Sequence, residues 1–235
     1  MAKIIFLHGW SMNGDVFIRQ KDSFACHHVD APDLHGTHHG QISTLLSTFE
    51  DKPILAGWSM GVSMILSELE LLQPMVSGLI FISGTPCFLA REDFPQGMRQ
   101  SIARKLYRDL RKDFDPAWRV FTELLTHAET IDDSTLSELK GLFDRVGNNI
   151  VLKQALADLE WLYKGDYRDK LKGIKVPLMI ISGSQDRICF PDASRYMADN
   201  VQDASLHIID GAGHMPFFTR AEEVNLLIRD FIDGH

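Results

Sequence analysis

The chain has 235 residues, 45% of them hydrophobic, and a formal net charge of −8. The hydrophobic content excludes an intrinsically disordered chain, because it supplies enough apolar surface for a sizeable core. The acidic balance argues against a nucleic-acid-binding protein, since binding to nucleic acid needs a basic surface.

Short apolar segments alternate with helical ones along most of the chain. The first, residues 3–7, is far too short for a signal peptide or a membrane span and is predicted to be a buried strand. Five more strands are predicted at residues 27–31, 53–57, 78–83, 178–182 and 205–209. Helices are predicted at residues 42–48, 59–72, 191–200 and 221–233. This alternation predicts an α/β fold with a mostly parallel sheet of about six strands and helices on both faces.

The middle of the chain lacks a strand pattern. Helical periodicity is found at residues 105–112, 118–127, 136–145 and 150–162. We therefore expect residues 88–167 to form a helical cap inserted into a core made of residues 1–87 and 168–235. A helical block placed after a core strand would cover the carboxyl edge of the sheet, where ligands bind in open α/β folds.

The segment Gly57-Trp58-Ser59-Met60-Gly61 lies between a predicted strand and a predicted helix. Gly-x-Ser-x-Gly in this context is typical of a nucleophile elbow, a sharp turn that exposes a serine hydroxyl at the edge of the sheet. A side chain at either glycine would collide with the crowded turn. Ser59 is therefore the predicted catalytic nucleophile.

A serine nucleophile needs a base and a carboxylate that orients the base. Asp186 and His214 follow the predicted strands at 178–182 and 205–209, so both are expected at the carboxyl edge of the sheet. The order Ser, Asp, His is that of the α/β-hydrolase triad. Asp210 and Asp192 are alternative acids, although Asp192 is better explained as the N-cap of the next helix.

An oxyanion hole is also predicted from two backbone N–H groups. Met60 follows the nucleophile at the start of a helix, where its N–H is free to donate. Trp10 follows the first strand, where a second donor is needed to hold the charge that develops in the transition state. His8 is expected to hold this loop rather than to act as a base.

Cysteines and histidines predict neither a disulfide framework nor a metal site. Cys26, Cys87 and Cys189 are odd in number and widely spaced, which favours a reducing, cytoplasmic location. The clustered histidines lack an interleaved carboxylate or cysteine at ligand spacing, so we interpret them as solvated loop residues. They are His27, His28, His35, His38 and His39.

Several motifs together resemble the α/β-hydrolase superfamily. They are His8-Gly9-Trp10, Ala31-Pro32-Asp33-Leu34-x-Gly36, Gly57-Trp58-Ser59-Met60-Gly61, Gly183-x-x-Asp186 and Gly213-His214. Within it, the chain is most similar to the small bacterial carboxylesterases of the BioH type, the pimeloyl-[acyl-carrier protein] methyl ester esterases of biotin synthesis. The resemblance implies ester hydrolysis, a helical cap and no cofactor. Residues 35–40 depart from the Pro-Gly-His-Gly that superfamily members often carry, so we expect this loop to have an altered shape.

Two further sets of residues concern the substrate. Phe121, Leu125 and Phe217 are candidates for an apolar acyl pocket, although such residues also serve as ordinary core. The residues Arg104, Arg108 and Arg111 share one face of a predicted helix by their spacing. They form either a solvated face or, as the resemblance suggests, a dock for an acidic acyl-carrier protein.

The sequence thus predicts a cytoplasmic serine carboxylesterase acting on a small-molecule acyl ester, with pimeloyl-[acyl-carrier protein] methyl ester as the substrate that the resemblance implies. The same triad also serves thioesterases, lactonases and carbon–carbon bond hydrolases. A ligand receptor on a hydrolase scaffold is the alternative outside enzymes. Acyl chain length, leaving group and oligomeric state are left open by the sequence.

Overall fold

The sheet is built from six parallel strands. A computed structural model of the protein describes residues 1–35 and 40–234. Its strands are β1 (Lys3–Leu7), β2 (His28–Asp30), β3 (Ile54–Trp58), β4 (Gly78–Ile82), β5 (Leu178–Gly183) and β6 (Ala204–Ile209), paired in the order β2-β1-β3-β4-β5-β6. All five pairings are parallel. The predicted altered loop at residues 35–40 and the histidines His38 and His39 fall largely or wholly outside the described residues.

Burial along the strands follows from their position in the sheet. Every residue of β3, β4 and β5 is buried, and their sequences are continuous apolar runs or small residues. A central parallel strand covered on both faces has this composition because neither face meets water. The edge strands β2 and β6 are only partly buried and carry polar residues, such as His28 and Asp30 on β2. Polar edges discourage pairing with another chain.

Helices connect the strands. The helices of the core are α1 (Ile18–Ser23), α2 (Gln41–Leu46), α3 (Met60–Ser67), α4 (Leu69–Leu72), α9 (Pro191–Asp199), α10 (Pro216–Thr219) and α11 (Ala221–Gly234). Between β4 and β5 lie α5 (Gln100–Lys112), α6 (Phe114–Leu125), α7 (Asp133–Gly147) and α8 (Leu152–Lys164). Within residues 1–35 and 40–234, no helix has the length and apolarity that crossing a membrane would require.

The helices cover both faces of the sheet. A right-handed crossover places its helix on one face when the chain moves one way along the sheet and on the other face when it moves back. The step from β1 to β2 runs opposite to the steps from β2 to β3 and from β3 to β4. Accordingly α1 packs with α11, while α2 packs with α4. The predicted α/β fold, a parallel sheet of six strands with helices on both faces, is confirmed.

The ends of the predicted cap lie side by side. Cys87 and Asp166 form an isolated antiparallel bridge, and the Tyr167 N–H donates to the Pro86 carbonyl over 2.7 Å. The chain therefore leaves the core and returns to it at nearly the same place. This supports, as a proposal, a cap of residues 88–167 on a core of residues 1–87 and 168–235.

The predicted helix over residues 59–72 is divided in two. Glu68, between α3 and α4, leaves the helical region with φ −115° and ψ 14°. Its buried carboxylate accepts a hydrogen bond from the Gly40 N–H over 2.9 Å. The helix predicted as continuous is therefore interrupted at a residue whose side chain contacts the start of α2. The short helices α1 and α10 had no clear periodic signal, since each has only four to six residues.

Candidate active site

Ser59 lies at the sharp turn between β3 and α3. Its backbone is in the left-handed region, at φ 55° and ψ −115°, which is costly for a residue with a side chain. A Cβ at Gly57 would lie 2.7 Å from the Gly61 carbonyl carbon, and one at Gly61 would lie 2.4 Å from the Leu7 carbonyl oxygen on β1. Both contacts are far below van der Waals distance. The two glycines thus allow the turn to pack against itself and against β1.

A continuous hydrogen-bonded chain joins three residues that the sequence singled out. His214 Nε2 lies 2.9 Å from Ser59 Oγ, and His214 Nδ1 lies 2.8 Å from Asp186 Oδ2. The side chains of Asp186 and His214 are almost fully buried, whereas Ser59 is partly exposed. A hydroxyl bonded to an imidazole that is in turn held by a buried carboxylate meets the geometric requirement for nucleophilic catalysis.

The two alternative acids are engaged elsewhere. Asp210 accepts a hydrogen bond from the Ser184 hydroxyl over 3.2 Å, and Asp192 pairs with Arg195 over 3.0 Å. Asp192 lies in the first turn of α9 after Pro191, and Phe190 takes the N-cap position that the sequence had suggested for Asp192. Asp186 is the carboxylate that the fold places at the imidazole.

The second oxygen of Asp186 is held by the backbone. Asp186 Oδ1 accepts hydrogen bonds from the N–H groups of Ile188 and Cys189, over 2.8 and 3.0 Å. The carboxylate is therefore clamped in one orientation, with Oδ2 turned towards the histidine. These two bonds also satisfy an oxygen that burial has removed from water.

The loop that carries His214 is held from two sides. The indole N–H of Trp58 donates to the His214 carbonyl over 2.9 Å. The His214 N–H donates to the Leu125 carbonyl at the end of α6 over 2.8 Å. The position of the imidazole thus depends on the core strand β3 and on a helix of the predicted cap. The role of Trp58 in holding this loop was not foreseen, although the residue lies inside the Gly-x-Ser-x-Gly motif.

Two backbone N–H groups are free at the predicted oxyanion hole. Met60 is the first residue of α3, and Trp10 follows β1, which is the neighbour of β3 in the sheet. Neither N–H has a backbone acceptor among the residues that the structure describes. Strand order reverses between β1 and β3, and ligands bind at such a switch point in open α/β sheets.

His8 braces the loop beside Trp10. The Leu34 N–H donates to His8 Nε2 over 3.0 Å, so that nitrogen must carry a lone pair. The proton is then on Nδ1, which lies 2.9 Å from the Gly9 carbonyl. Burial lowers the pKa of the His8 imidazole, which agrees with this neutral form. Both ring nitrogens are occupied by backbone groups.

This geometry can be compared with that of known proteins. The model of the alpha/beta hydrolase family matches residues 4–225. The chain belongs to the alpha/beta hydrolase family.

Two relatives of this alpha/beta hydrolase share the same name. A pimeloyl-[acyl-carrier protein] methyl ester esterase of Xylella fastidiosa (strain M23) is 30% identical, over 97% of this chain and 94% of that protein. One from Stenotrophomonas maltophilia (strain R551-3) is 30% identical, over 98% and 93%. Among solved structures, an esterase from Exiguobacterium antarcticum matches with a TM-score of 0.91 at 21% identity, over 99% and 92% of the two chains. These likenesses confirm the resemblance drawn from the motifs and support an ester hydrolase.

The side chain of Trp10 in this hydrolase contacts two helices of the predicted cap. Its indole N–H donates to the Ala155 carbonyl on α8 over 2.7 Å. Its ring meets the edge of Phe121 on α6, with centroids 4.9 Å apart. Phe121 lines a first cavity of about 420 Å³, and Ala155 lines a second of about 430 Å³. The indole is thus fixed between α6 and α8.

The first cavity is apolar inside and charged at its mouth. Its wall includes Phe88, Met98, Leu106, Phe121, Leu124 and Ile188. Ile188 is the wall residue that contacts the triad, since its backbone N–H donates to Asp186 Oδ1. Four charged residues also border the cavity: Lys105, Asp109, Lys112 and Asp113. The volume is within the range of small-molecule sites.

The structure brings one of the three predicted pocket residues to this cavity. Phe121 lines it. Leu125 is fully buried and contributes its carbonyl to the His214 loop, so it is corrected from a lining residue to a backbone support. Phe217 is fully buried against Trp58 and Phe17, with ring centroids 5.1 and 5.0 Å apart, and is likewise corrected to a core residue beneath the site.

The predicted basic face lies on α5, beside the mouth of the first cavity. Arg104, Arg108 and Arg111 are all exposed. Arg104 donates to Gln100 over 3.3 Å, and Arg108 lies 3.8 Å from Asp109. Among the described residues, no carboxylate lies within ion-pair distance of Arg104 or Arg111. The helix therefore presents largely uncompensated positive charge in a protein of net charge −8.

The histidines near the amino terminus have separate local partners. The Ala2 N–H donates to His27 Nδ1 over 3.2 Å, and His35 Nδ1 lies 3.3 Å from Asp158 Oδ2. The ring of His28 meets the edge of Phe49, with centroids 5.8 Å apart. In the part of the chain that the structure describes, no three His, Cys, Asp or Glu side chains are grouped as metal ligands.

Glu129 is a residue near the triad that sequence reasoning missed. It follows α6, and its side chain has no exposed surface. Neither carboxylate oxygen has an aligned hydrogen-bond donor among the described residues, and Arg220 lies 3.7 Å away. Oε1 packs so closely on Gly213 that a Cβ there would approach it to 2.6 Å. Burial raises the pKa of the Glu129 carboxyl, and nearby donors offset only part of this effect. No motif marks this residue.

We expect Glu129→Gln to stabilise the protein at neutral and higher pH, by about 1 kcal/mol. The folded state raises the pKa of Glu129 above its ordinary value of 4.5, so wild-type stability is lost as pH rises through the folded pKa. Glutamine cannot ionise and escapes that loss. Thermal unfolding at pH 4 and pH 8 measures the effect, with the exposed Glu123→Gln on α6 as the control. A variant less stable than wild type at pH 8 would contradict the prediction.

Proposed function

We propose that the protein is a serine carboxylesterase that works through an acyl-enzyme intermediate. The observation that carries the proposal is the unbroken chain of hydrogen bonds from Asp186 through His214 to Ser59. Two free N–H groups beside the serine and an apolar cavity that reaches Ile188 support the same function. The cytoplasmic location belongs to the proposal and is supported by three unpaired cysteines.

The roles of the residues follow from their positions. Ser59 Oγ attacks the ester carbonyl carbon while His214 Nε2 takes its proton. Asp186 keeps the other ring nitrogen protonated and stabilises the imidazolium. The N–H groups of Trp10 and Met60 donate to the oxyanion. His214 then protonates the leaving alcohol, and a water molecule repeats the sequence to release the acid and restore Ser59.

For the substrate, we propose an acyl ester whose chain occupies the first cavity, with pimeloyl-[acyl-carrier protein] methyl ester as the specific candidate. The names of the relatives motivate this choice. The cavity supports it, since its apolar wall, to which α5 and Ile188 both contribute, suits a medium acyl chain. The experiment is to compare kcat/KM for a free methyl ester, a thioester and the carrier-bound methyl ester. Faster turnover of the thioester than of either ester would overturn carboxylesterase in favour of thioesterase.

The basic face of α5 is the proposed dock for the carrier. An acidic carrier bound there would place its acyl chain at the charged mouth of the first cavity, because α5 contributes residues to that mouth. Charge complementarity at a surface of this kind acts mainly on encounter and specificity.

Reversing the charge of Arg104, Arg108 and Arg111 to glutamate together should lower kcat/KM for the carrier-bound ester by about tenfold. The free methyl ester should be hydrolysed as before, since the triad is untouched. A matched control reverses three exposed residues elsewhere on the predicted cap, Lys140, Arg145 and Lys153, with the same change in net charge. An equal loss in both triple variants, or none in either, would refute docking on α5.

A further inference from the structure

The turn after α6 contacts the loop of the proposed catalytic base at two points. The Leu125 carbonyl accepts a hydrogen bond from the His214 N–H over 2.8 Å, and the Glu129 side chain packs on Gly213. A Cβ at Gly213 would lie 2.6 Å from Glu129 Oε1 and 2.9 Å from the Leu125 carbonyl oxygen. Glycine at this position therefore allows the loop to lie directly on the turn.

A tight turn places Glu129 against this loop. Ala128, which precedes it, is in the left-handed region at φ 65°, a conformation that is unfavourable for a residue with a side chain. The Glu129 N–H donates to the Thr126 carbonyl over 3.2 Å and closes the turn. The chain thus reverses soon after α6, and the Glu129 side chain has no exposed surface.

The Glu129 carboxylate is poorly satisfied in the resting protein. Neither of its oxygens has an aligned hydrogen-bond donor among the described residues. Arg220 lies 3.7 Å away, but its Nη1 and Nη2 donate to the carbonyls of Thr219 and Thr130 over 3.1 and 3.5 Å. A buried carboxylate without a close partner lowers stability, and features of this kind are found mainly at functional sites.

The charged groups around Glu129 come from separate elements. Arg220 lies just before α11, and Asp186 lies on the loop after β5. Burial raises the pKa of the Glu129 carboxyl, nearby hydrogen-bond donors and Arg220 offset part of this effect, and the charge of Asp186 adds to it. His127, on the same turn, is exposed. The His214 imidazole belongs to the loop on which Glu129 packs, and it becomes a cation when it takes a proton.

We propose that Glu129 is a positioning residue for the catalytic base and that its buried carboxylate stabilises the imidazolium formed when His214 takes the proton of Ser59. The inference rests on the proposed function, because that reaction forms the imidazolium. Asp186 binds His214 Nδ1 directly, whereas Glu129 acts through space from its contact with Gly213. Water and salt screen this attraction much less in a buried site than at the surface.

NMR titration of the His214 imidazole tests the inference without turnover. Glu129→Gln keeps the shape of the side chain and removes its negative charge, which leaves the positive charge of Arg220 unbalanced. Both effects disfavour a protonated imidazole, so the midpoint of the His214 titration should fall by about one pH unit. The signal is assigned by its absence from His214→Gln. An unchanged midpoint in Glu129→Gln would overturn the inference.

The matched control is the exposed Glu123→Gln on α6. It removes the same charge from the same part of the chain, but solvent screens that charge, so the midpoint should move by less than about 0.3 pH unit. An equal shift in Glu123→Gln and Glu129→Gln would also overturn the inference, because it would reflect net charge alone. Loss of structure does not explain a shift, since Glu129→Gln is expected to stabilise the fold at neutral pH.

The pH dependence of ester hydrolysis provides the second readout. With a short p-nitrophenyl ester, the acid limb of kcat/KM should move to lower pH in Glu129→Gln by the same amount. On the plateau, kcat should fall by no more than about tenfold with KM unchanged, because Glu129 acts on His214 and not on the substrate. A purely structural role would not move the acid limb. Wild-type protein without hydrolysis would refute the esterase, whereas the NMR midpoint decides the role of Glu129, so the two failures are distinguishable.

Discussion

Ser59→Ala should reduce kcat for ester hydrolysis by about 10⁶-fold, since loss of the nucleophile from a catalytic triad has an effect of this order. The His214 imidazole would remain on Asp186 with no hydroxyl to deprotonate. Alanine occupies the left-handed backbone conformation no more easily than serine, so the melting temperature should stay nearly the same. Initial rates on a short p-nitrophenyl ester, together with thermal unfolding, measure both quantities.

A matched control for this variant lies at the other end of α3, the helix that Ser59 precedes. Ser67→Ala removes a hydroxyl that only donates to the Met64 carbonyl in α3. It should leave the rate within about twofold of wild type, because its backbone bond has no part in the site. Turnover by Ser59→Ala comparable to that of Ser67→Ala would end the proposal of a serine nucleophile.

Asp186→Asn should lower kcat by about 10⁴-fold while the protein remains folded. The reason is the clamp on Oδ1, which accepts from two backbone N–H groups. An asparagine would place its carbonyl oxygen there and turn its NH₂ group towards His214 Nδ1. That nitrogen must then accept, so the proton moves to Nε2, and the imidazole can no longer take a proton from Ser59.

The alternative acids supply the controls for this second experiment. Asp192→Asn and Asp210→Asn change carboxylates that pair with Arg195 and Ser184 rather than with the imidazole. Each should retain activity within a few-fold of wild type. The measurement is kcat with a p-nitrophenyl ester across the pH range in which the wild type is active. A larger loss in either control than in Asp186→Asn would reassign the acid.

The central strands and the elbow could be predicted because their signals are local. Buried parallel strands need continuous apolar runs, and these stand out against the helical segments around them. The Gly-x-Ser-x-Gly pattern has a local physical explanation, since a Cβ at Gly57 or Gly61 would collide with backbone atoms. Because Asp186 and His214 each follow a predicted strand, the sequence also predicts that both lie at the same edge of the sheet.

The direction in which a side chain points could not be predicted from local sequence patterns in the same way. Leu125 and Phe217 are apolar, and Phe217 closely follows His214 in the sequence, yet both are fully buried in the core. A pocket-lining residue and a core residue have the same composition, and the difference depends on which side of the backbone faces the cavity. The helix over residues 59–72 is likewise divided at Glu68, whose carboxylate accepts a hydrogen bond from Gly40, 28 residues away in the sequence.

By itself, the sequence determined the fold class, the nucleophile elbow and the order of an acid and a base behind it, because these depend on local patterns and on the rule that parallel strands end at one edge. Only the tertiary structure decided which aspartate holds the imidazole, that Trp10 is held between α6 and α8, and that Glu129 lies buried beside the His214 loop. These features arise from contacts between distant segments, such as the indole of Trp10 with the Ala155 carbonyl. Packing geometry of this kind has no local signature in the amino-acid sequence.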